Sequence, residues 1–298
     1  MEKNKFYESI KNFQNWKNKK IIFIISDPGS ANVILSIIKK FKLKKINLFF
    51  TDLNIKKYFT NYKNKFLQIH LLKNLIQKNY FDLAVIGTGY PPKYIHLANY
   101  FKTYKILTVA ILDHWLNFLR RFKKNKSFFR PDTIFMTHKI NYSLGNFFKG
   151  IKIFIIKNYY LEEQIKEIKK IKKKKYNYCY ISDPASYIVN VKVRKKLIVA
   201  SMTNFISLIK SRRINKVLVR PHPKDDLLKF KNMIKKIAKK IKYKERNLII
   251  SKSKNISKDI GSSHSIYGMK SFGLYIASKA KKKVYSFKHN RFVLQKYI

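Results

Sequence analysis

The stretch IIFIISDPGSANVILSIIKKF, residues 21–41, contains the two elements from which most of the chain is built. Its first run, Ile21–Ser26, is apolar up to the serine without alternation, which is typical of a strand covered on both faces of a parallel sheet. A turn with Pro28 and Gly29 follows, and Ala31–Phe41 then has helical spacing. A strand, a turn and a crossover helix in this order predict one unit of a doubly wound α/β domain.

The same alternation continues to about residue 160. Further candidate strands are Ile46–Thr51, Leu83–Gly87, Ile106–Leu112, Thr133–Thr137 and Ile151–Ile156. A second crossover helix is predicted over Pro91–Tyr104, because it opens on prolines that suit a first helical turn. Residues 1–160 are therefore predicted to form one Rossmann-like domain.

A second domain is predicted beyond a charged junction. Ile165, Ile168 and Ile171 mark one helical stripe, and the lysine run after them is too charged for a core, so residues 161–176 are interpreted as a helical, lysine-rich linker. Candidate strands resume with Tyr178–Ser182, Val217–Val219, Leu248–Ser251 and Lys283–Ser286. Residues 177–298 are predicted to form the second Rossmann-like domain.

The two halves begin alike, with FIISDPGS at residues 23–30 and CYISDPAS at residues 179–186. Each stretch carries a hydrophobic strand into Ser-Asp-Pro, a small residue and Ser. If this echo is a repeat, the chain holds two similar doubly wound parallel sheets, which we expect to face across a cleft.

Lysine dominates the charge of the chain. The 67 Lys and Arg residues against 15 Asp and Glu residues leave a formal net charge of +52. A nucleic-acid partner is disfavoured, because arginine, which reads phosphates and guanines bidentately, is scarce beside lysine. Two explanations stay open: compositional drift in a strongly A/T-biased genome, or selection for a polyanionic partner such as an anionic membrane surface.

Other features of composition bear on location. The one cysteine, Cys179, excludes an internal disulfide and a cysteine-based metal cluster, which fits a reducing cytoplasm. The N-terminus lacks the apolar core of a signal peptide, and no apolar run approaches the ~20 residues of a membrane span. We expect a cytoplasmic protein, soluble or peripherally bound at the inner face of the membrane.

Acidic residues are rare, and three of them follow candidate strands: Asp27, Asp113 and Asp183. Ligands of open α/β sheets bind outside the carboxyl ends of the strands, so these positions are candidate site residues. An aspartate before proline, as at Asp27 and Asp183, is also a common helix cap or turn former.

Asp113 belongs to VAILDHWLNFLRRF, residues 109–122, in which a buried strand delivers Asp113, His114 and Trp115 together. A carboxylate beside an imidazole can act as a general base, since each tunes the pKa of the other. The alternative is a capped helix with Trp115 packed in an interface.

The stretch KVLVRPHPKDD, residues 216–226, holds one histidine between two prolines at the end of a predicted strand. Pro221 and Pro223 fix their own φ and push Arg220 and His222 toward extended backbone. The result is a stiff loop that orients the imidazole of His222, which can donate a hydrogen bond to a phosphate oxygen, with Arg220 adding charge. A rigid turn with a purely structural histidine is the alternative.

A second candidate phosphate-binding segment consists of Gly261, Ser262 and Ser263, with His264 next to them. We predict that this turn begins a helix, with Tyr267, Ser271 and Leu274 at helical spacing. Hydroxyls, free backbone N–H groups and the positive end of a helix dipole bind phosphate. Because the turn follows His222 in the same predicted domain, both are expected to reach one anion.

Other ligand templates fail. The stretch GTGYPP, residues 87–92, lacks the third glycine of the dinucleotide fingerprint, and neither a P-loop nor an HExxH motif is present. The seven histidines show no metal-ligand spacing. We therefore expect no metal and no cofactor besides a donor substrate.

Taken together, the two α/β domains, His222–Pro223 at a strand end and Ser262–Ser263 later in that domain resemble the GT-B fold glycosyltransferases. The resemblance is greatest to the bacterial sialyltransferase and polysialyltransferase-like or capsule-polysaccharide group. It implies that the His-Pro and Ser-Ser motifs bind the phosphate of a CMP-sugar and that an acidic motif in the first domain supplies the base. LDHW, residues 112–115, lacks the second acid and the glycine of that motif, so Asp113 is the first choice and Asp27 the second.

The resemblance implies a metal-independent glycosyltransferase with an acceptor-side domain at residues 1–160 and a nucleotide-binding domain at residues 177–298. The acceptor would be a glycan or a lipid-linked molecule, as in capsule or lipopolysaccharide synthesis. Two alternatives stay open: a nucleotide-sugar epimerase, hydrolase or polyol-phosphate transferase of the same fold, and a non-catalytic protein that binds polyanions.

Overall fold

The computed structural model describes residues 13–89, 92–113, 118–138, 148–183, 190–223, 225–288 and 291–294. The chain divides into two compact units, Met1–Tyr160 and Leu161–Ile298. Each unit contains one six-stranded sheet. The predicted α/β class with two parallel-sheet domains is therefore confirmed.

The sheet of the first unit is wholly parallel. Its strands are β1 (Ile21–Ile25), β2 (Ile46–Phe50), β3 (Leu83–Gly87), β4 (Leu107–Leu112), β7 (Thr133–Met136) and β8 (Lys152–Ile155), in the order β2-β1-β3-β4-β7-β8. The strands β5 (Lys123–Lys124) and β6 (Ser127–Phe128) form a separate antiparallel hairpin. The α-helices are α1 (Pro28–Phe41), α2 (Ile69–Gln77) and α3 (Ile95–Thr103). Four 3₁₀ helices cover Trp16–Asn18, Leu53–Tyr58, Thr60–Lys65 and Leu119–Arg121 among the described residues.

Strand β1 explains why its sequence is continuously apolar. Ile21, Phe23 and Ile25 pack into one buried cluster of the first unit. Ile22 and Ile24 pack into a second cluster. Because successive side chains of a strand point to opposite faces of the sheet, both faces of this strand are covered. The parallel arrangement inferred from residues 21–41 has this physical basis.

The second unit has a sheet of five parallel strands and one antiparallel edge strand. Its strands are β9 (Tyr176–Ile181), β10 (Val217–Arg220), β11 (Leu248–Ile250), β12 (Ser263–Gly268), β13 (Lys283–Lys288) and β14 (Arg291–Leu294), in the order β11-β10-β9-β12-β13-β14. Its helices are α4 (Tyr159–Lys170), which begins in the first unit, α5 (Val191–Ser211), α6 (Leu227–Ile241), α7 (Ile256–Gly261) and α8 (Phe272–Lys279), with a 3₁₀ helix at Glu245–Asn247.

The segment around Gly261 differs from the prediction. Gly261 ends α7 instead of beginning a helix, and Ser263 is the first residue of β12. Strand β12 pairs with both β9 and β13, so backbone hydrogen bonds to two neighbours outweigh the weak local preference of SHSIYG. The next helix, α8, starts at Phe272.

Within the part of the chain that the structure describes, no helix has the length and apolar content needed to cross a membrane.

Candidate functional site

The loops at the carboxyl end of the first sheet form one cluster of polar groups. Strands β1 and β3 are neighbours in the sheet. After β1 the chain continues to β2 on one side of this pair, and after β3 it continues to β4 on the other side. In open α/β sheets, ligands bind in the crevice outside the strand ends at such a switch point. Ser26 and Asp27 follow β1, and Thr88 and Gly89 follow β3.

Asp27 caps the helix that starts at this point. Its Oδ1 accepts a 2.8 Å hydrogen bond from the backbone N–H of Ser30, and Pro28 occupies the first helical position. A Cβ at Gly89 would lie 2.6 Å from Asp27 Oδ2. Only a glycine allows the loop after β3 to approach the carboxylate so closely. The carboxylate that caps α1 is therefore in contact with the loop after β3 at the switch point.

Asp113, at the end of β4, is held in a buried ion pair. Its Oδ1 accepts a 2.5 Å hydrogen bond from Arg121 Nη1, and the two side chains are 10% and 7% exposed. The Arg121 Nη1 group also donates to the carbonyl of Thr88. The arginine therefore connects the loops after β3 and β4.

The structure brings together the two carboxylates between which the sequence left the choice of base open. Asp113 Oδ2 and Asp27 Oδ1 lie 2.0 and 3.5 Å from the point where a Cβ of Gly29 would stand. Both belong to one group of charges that includes Arg121. Burial acts to lower the pKa of Arg121, and the carboxylates of Asp113 and Asp27 raise it above its ordinary value, so the guanidinium stays charged.

Two further residues of this cluster were not predicted from the sequence. The Tyr94 hydroxyl donates to the carbonyl of Arg121, and burial raises the pKa of Tyr94 well above its usual range. Burial, with the nearby positive charge of Arg121, lowers the pKa of His138 to about 4. His138 follows β7 closely in MTHK, so the census of residues after strands that singled out Asp113 would have found it. The predicted His114, and Trp115 beside it, lie outside the described residues.

In the second unit, three neighbouring strands end level with one another. Ile181 of β9 is paired with Arg220 of β10 on one side and with Gly268 of β12 on the other. Neighbouring strands are about 4.8 Å apart, so the three loops leave the sheet side by side. The chain order reverses between β9 and β12, which makes this edge the switch point of the second sheet.

The predicted His222 lies at this edge in a loop held by an aspartate. The backbone N–H of His222 donates to Asp225 Oδ2 over 2.7 Å, and Ser182 after β9 donates to the same oxygen over 3.0 Å. Burial raises the pKa of Asp225 despite these hydrogen bonds. Through the two contacts the carboxylate connects the loops after β9 and β10. Pro223 is exposed, as is expected of a loop residue that stiffens the backbone.

Arg220 has a structural role that the sequence did not predict. Its Nη1 lies 2.5 Å from Asp259 Oδ2, and the two side chains are 11% and 7% exposed. The same nitrogen donates to the carbonyl of Ser253 over 3.0 Å. The charge of Arg220 is therefore balanced by a buried carboxylate, and its contact with a phosphate stays a prediction from the sequence.

Gly261, Ser262 and Ser263 do not lie beside His222. Ser263 is paired with Tyr176 at the start of β9, five residues before Ile181, which corresponds to about 16 Å along the strand. The hydroxyls of Ser262 and Ser263 donate to the carbonyls of Lys258 and Asp259 at the end of α7. The expectation that this turn is a helix N-terminus sharing an anion with His222 is therefore wrong, and His264, an exposed residue of β12, lies at the same distant end.

Ser271, and not the turn of Gly261, Ser262 and Ser263, lies at a helix N-terminus near the loop of His222. It caps α8, and its hydroxyl accepts a 3.3 Å hydrogen bond from the backbone N–H of Leu274. It follows Gly268, which is level with Arg220, by three residues. Ser271 therefore begins the helix that follows β12 at the second switch point. A serine before the apolar run of FGLYIA was an available signal for this cap.

Among the residues that the structure describes, no three His, Cys, Asp or Glu side chains form a group that could hold a metal ion.

The comparison with known proteins supports the fold. No family model and no curated protein matches the sequence. The chain is similar to the structure of UDP-GlcNAc 2-epimerase from Methanocaldococcus jannaschii, with a TM-score of 0.56 and 13% identity over 89% of this chain and 82% of that one. It is also similar to Anabaena Alr3699/HepE in complex with UDP-glucose, with a TM-score of 0.57 and 11% identity over 90% and 80%. At these identities the matches establish a GT-B-type pair of parallel-sheet domains and no more.

Proposed function

We propose that this protein is an enzyme that acts on a nucleotide-sugar, and that its reaction is the transfer of the sugar to a glycan or lipid-linked acceptor. The observation that carries the proposal is the common edge of β10, β9 and β12, where the His222 loop after β10 and the Ser271 end of α8 after β12 lie on either side of the end of β9. An imidazole and a helix N-terminus on one switch point are suited to a phosphate group.

In this proposal, residues 177–298 bind the nucleotide. His222 donates a hydrogen bond to a phosphate oxygen, and the backbone N–H groups that follow Ser271 face the negative charge that develops as the sugar leaves. These groups would take the role that a metal ion has in other glycosyltransferases. The activity is therefore expected to survive an excess of EDTA.

The proton of the acceptor hydroxyl goes to a carboxylate of the first unit, which we propose as the acceptor-side unit. Asp113 shares its Oδ1 with Arg121 in a buried ion pair, whereas Asp27 is half-buried and oriented by its cap to Ser30. We therefore propose Asp27 as the base and Asp113 with Arg121 as the pair that positions it. His114 remains a candidate on the sequence alone.

Epimerisation is the second candidate reaction, because the solved structures with this fold include UDP-GlcNAc 2-epimerases. The resemblance to sialyltransferases favours a CMP-sugar, and the neighbours named with UDP-glucose and UDP-GlcNAc favour a UDP-sugar. The two reactions are distinguished by their products: transfer or hydrolysis releases free nucleotide, and epimerisation does not.

The proposal is tested by thermal shift with CMP, CDP, UDP and GDP at millimolar concentration, followed by incubation with the sugar nucleotides of whichever base binds. We expect one nucleotide to raise the melting temperature, and we expect the shift to be lost in His222→Ala. Ser262→Ala is the matched control, because its hydroxyl lies at the other end of the sheet and should leave the shift unchanged. If no nucleotide stabilises the protein, or if both variants respond alike, the proposed site is wrong.

A further inference from the structure

A groove of about 760 Å³ opens on the first unit, between α2, α3 and the end of β2. It is lined by Phe49, Phe50, Thr51, Ile69, Lys73, Gln77, Lys93, His96, Leu97 and Tyr100. None of the residues that follow β1, β3 or β4 and form the carboxylate cluster lines it. The groove is therefore separate from the cluster of Asp27 and Asp113.

Two helices provide the walls by their outward faces. Ile69, Lys73 and Gln77 are spaced four residues apart and share one face of α2, while Leu72 and Ile76 on another face are fully buried. His96 and Tyr100 are spaced in the same way on α3. Because each helix is anchored by its buried face, the lining side chains are presented on a rigid frame.

Phe49 and Phe50 of β2 give the groove an apolar floor, and Ile69 and Leu97 add apolar side chains to helical walls that are otherwise polar. Phe49 and Leu97 are only partly buried against the core, and Ile69 is 46% exposed. Exposed aliphatic side chains that line a concave surface favour a hydrocarbon ligand over water, because burial of apolar area is favourable.

The rim of the groove is basic. Lys73, Lys93 and His96 are exposed, and no acidic residue is among the lining residues. In the part of the chain that the structure describes, neither lysine has an ion-pair partner. The groove thus combines an apolar floor with positive charge that no carboxylate of the described residues pairs with.

We propose that this groove binds a lipid phosphate, with the phosphate at Lys73 and Lys93 and the first carbons of the chain on Phe49, Leu97 and Ile69. A lysine pair recognises a phosphate by charge, and the apolar floor covers the adjoining methylenes. A free sugar is a poorer fit, because it carries no negative charge to pair with the two lysines. The site goes beyond the proposed function and stands without it, since it requires no nucleotide.

The test uses soluble, single-chain probes below their aggregation concentration: butyl, hexyl and octyl phosphate, with inorganic phosphate and octyl glucoside as references. Binding is measured by calorimetry at 0.15 M salt, where the field of distant charges is screened to about 8 Å. We expect affinity to rise by up to about fourfold for each methylene that the groove buries. We expect inorganic phosphate and octyl glucoside to bind at least about tenfold more weakly than octyl phosphate.

Charge variants separate the groove from the basic surface as a whole. The double variant Lys73→Glu, Lys93→Glu should lower the affinity for octyl phosphate at least about tenfold. The double variant Lys44→Glu, Lys45→Glu makes an equal change of charge on an exposed turn and should change this affinity less than about twofold. Ile69→Gln should remove most of the dependence on chain length, and Leu71→Gln, an equally exposed residue of α2 outside the groove, should retain it.

Equal loss in both charge pairs, or an affinity independent of chain length, would show that only diffuse charge binds the probes and would overturn the proposal. Unchanged affinity in the Lys73 and Lys93 double variant would overturn it too. The nucleotide-dependent thermal shift of the same variants is recorded in parallel, so failure of this site is distinguished from failure of the proposed nucleotide site.

Discussion

Gly29 lies directly against Asp113: a Cβ at this glycine would stand 2.0 Å from Asp113 Oδ2. The carboxylate cannot retreat without leaving its ion pair with Arg121. Gly29→Ala should therefore lower the free energy of unfolding by about 1–3 kcal/mol, the usual cost of overpacking a buried site. Chemical denaturation of the single and double variants gives the measurement.

The control for this prediction is a double-mutant cycle. In an Asp113→Ala background the added methyl group has room, so Gly29→Ala should cost much less there than in the wild type. The same cost in both backgrounds would show that the destabilisation arises elsewhere, for example from the first turn of α1.

Arg121 should contribute far more to stability than an exposed partner of an ion pair. Its removal leaves the buried Asp113 without a counter-charge, so Arg121→Met should cost about 3–5 kcal/mol. Lys102→Met is the matched control, because Lys102 pairs with Asp132 at 38% and 36% side-chain exposure, and such surface pairs contribute at most about 1 kcal/mol. Urea denaturation of both variants at neutral pH decides the matter; similar losses would contradict the buried role of Arg121.

His138 should make the stability of the protein depend on pH. Burial lowers its pKa from 6.5 in the unfolded chain to about 4 in the folded protein. Between these values the unfolded chain binds more protons, so the contribution of His138 is fully present above pH 6.5 and is lost as the pH falls toward 4. By pH 5 the loss should reach about 2 kcal/mol, because each unit of pKa difference corresponds to about 1.4 kcal/mol.

The measurement compares wild type with His138→Gln across this range. The unfolding midpoint of the wild type should fall more steeply between pH 7 and pH 5 than that of the variant. In NMR spectra of the folded protein, the resonances of His138 should be those of a neutral imidazole down to about pH 5. Parallel pH profiles for the two proteins would mean that other groups cause the acid sensitivity.

The fold was predictable where a strand is buried on both faces. Ile21–Ile25 and Leu83–Gly87 are continuously apolar because each lies in the interior of the sheet, and the sequence pattern records that burial directly. Strand β12 was not predictable, because SHSIYG has no apolar run of this kind. Its conformation is dictated by pairing with β9 and β13, which are distant in sequence.

The same difference explains which site residues were found. Asp27, Asp113 and His222 follow strands that the pattern revealed, so their place at the sheet edge could be inferred. The sequence of β12 has helical spacing, which predicts a helix directly after Gly261, Ser262 and Ser263, whereas α8 begins at Phe272 with Ser271 as its N-cap. The ion pair of Arg220 with Asp259 depends on a tertiary approach that no local pattern records.

Ser271 permits the most direct separation of stability from binding. Its hydroxyl caps α8 by accepting from the N–H of Leu274, so Ser271→Ala should cost about 1 kcal/mol of stability. Ser271→Asp should retain the cap, because aspartate is an equally good capping residue, but it places a negative charge where the proposed phosphate binds. We therefore expect Ser271→Asp to have near wild-type stability and to lose the nucleotide-dependent thermal shift.

Asn190 provides the matched control for these variants. It caps α5 through the N–H groups of Lys192 and Val193 and is not one of the proposed phosphate ligands, so Asn190→Ala should lower stability as Ser271→Ala does and leave the thermal shift intact. Nucleotide binding by Ser271→Asp at wild-type affinity would exclude the N-terminus of α8 from the phosphate site. The anion would then have to be held by the His222 loop without this helix.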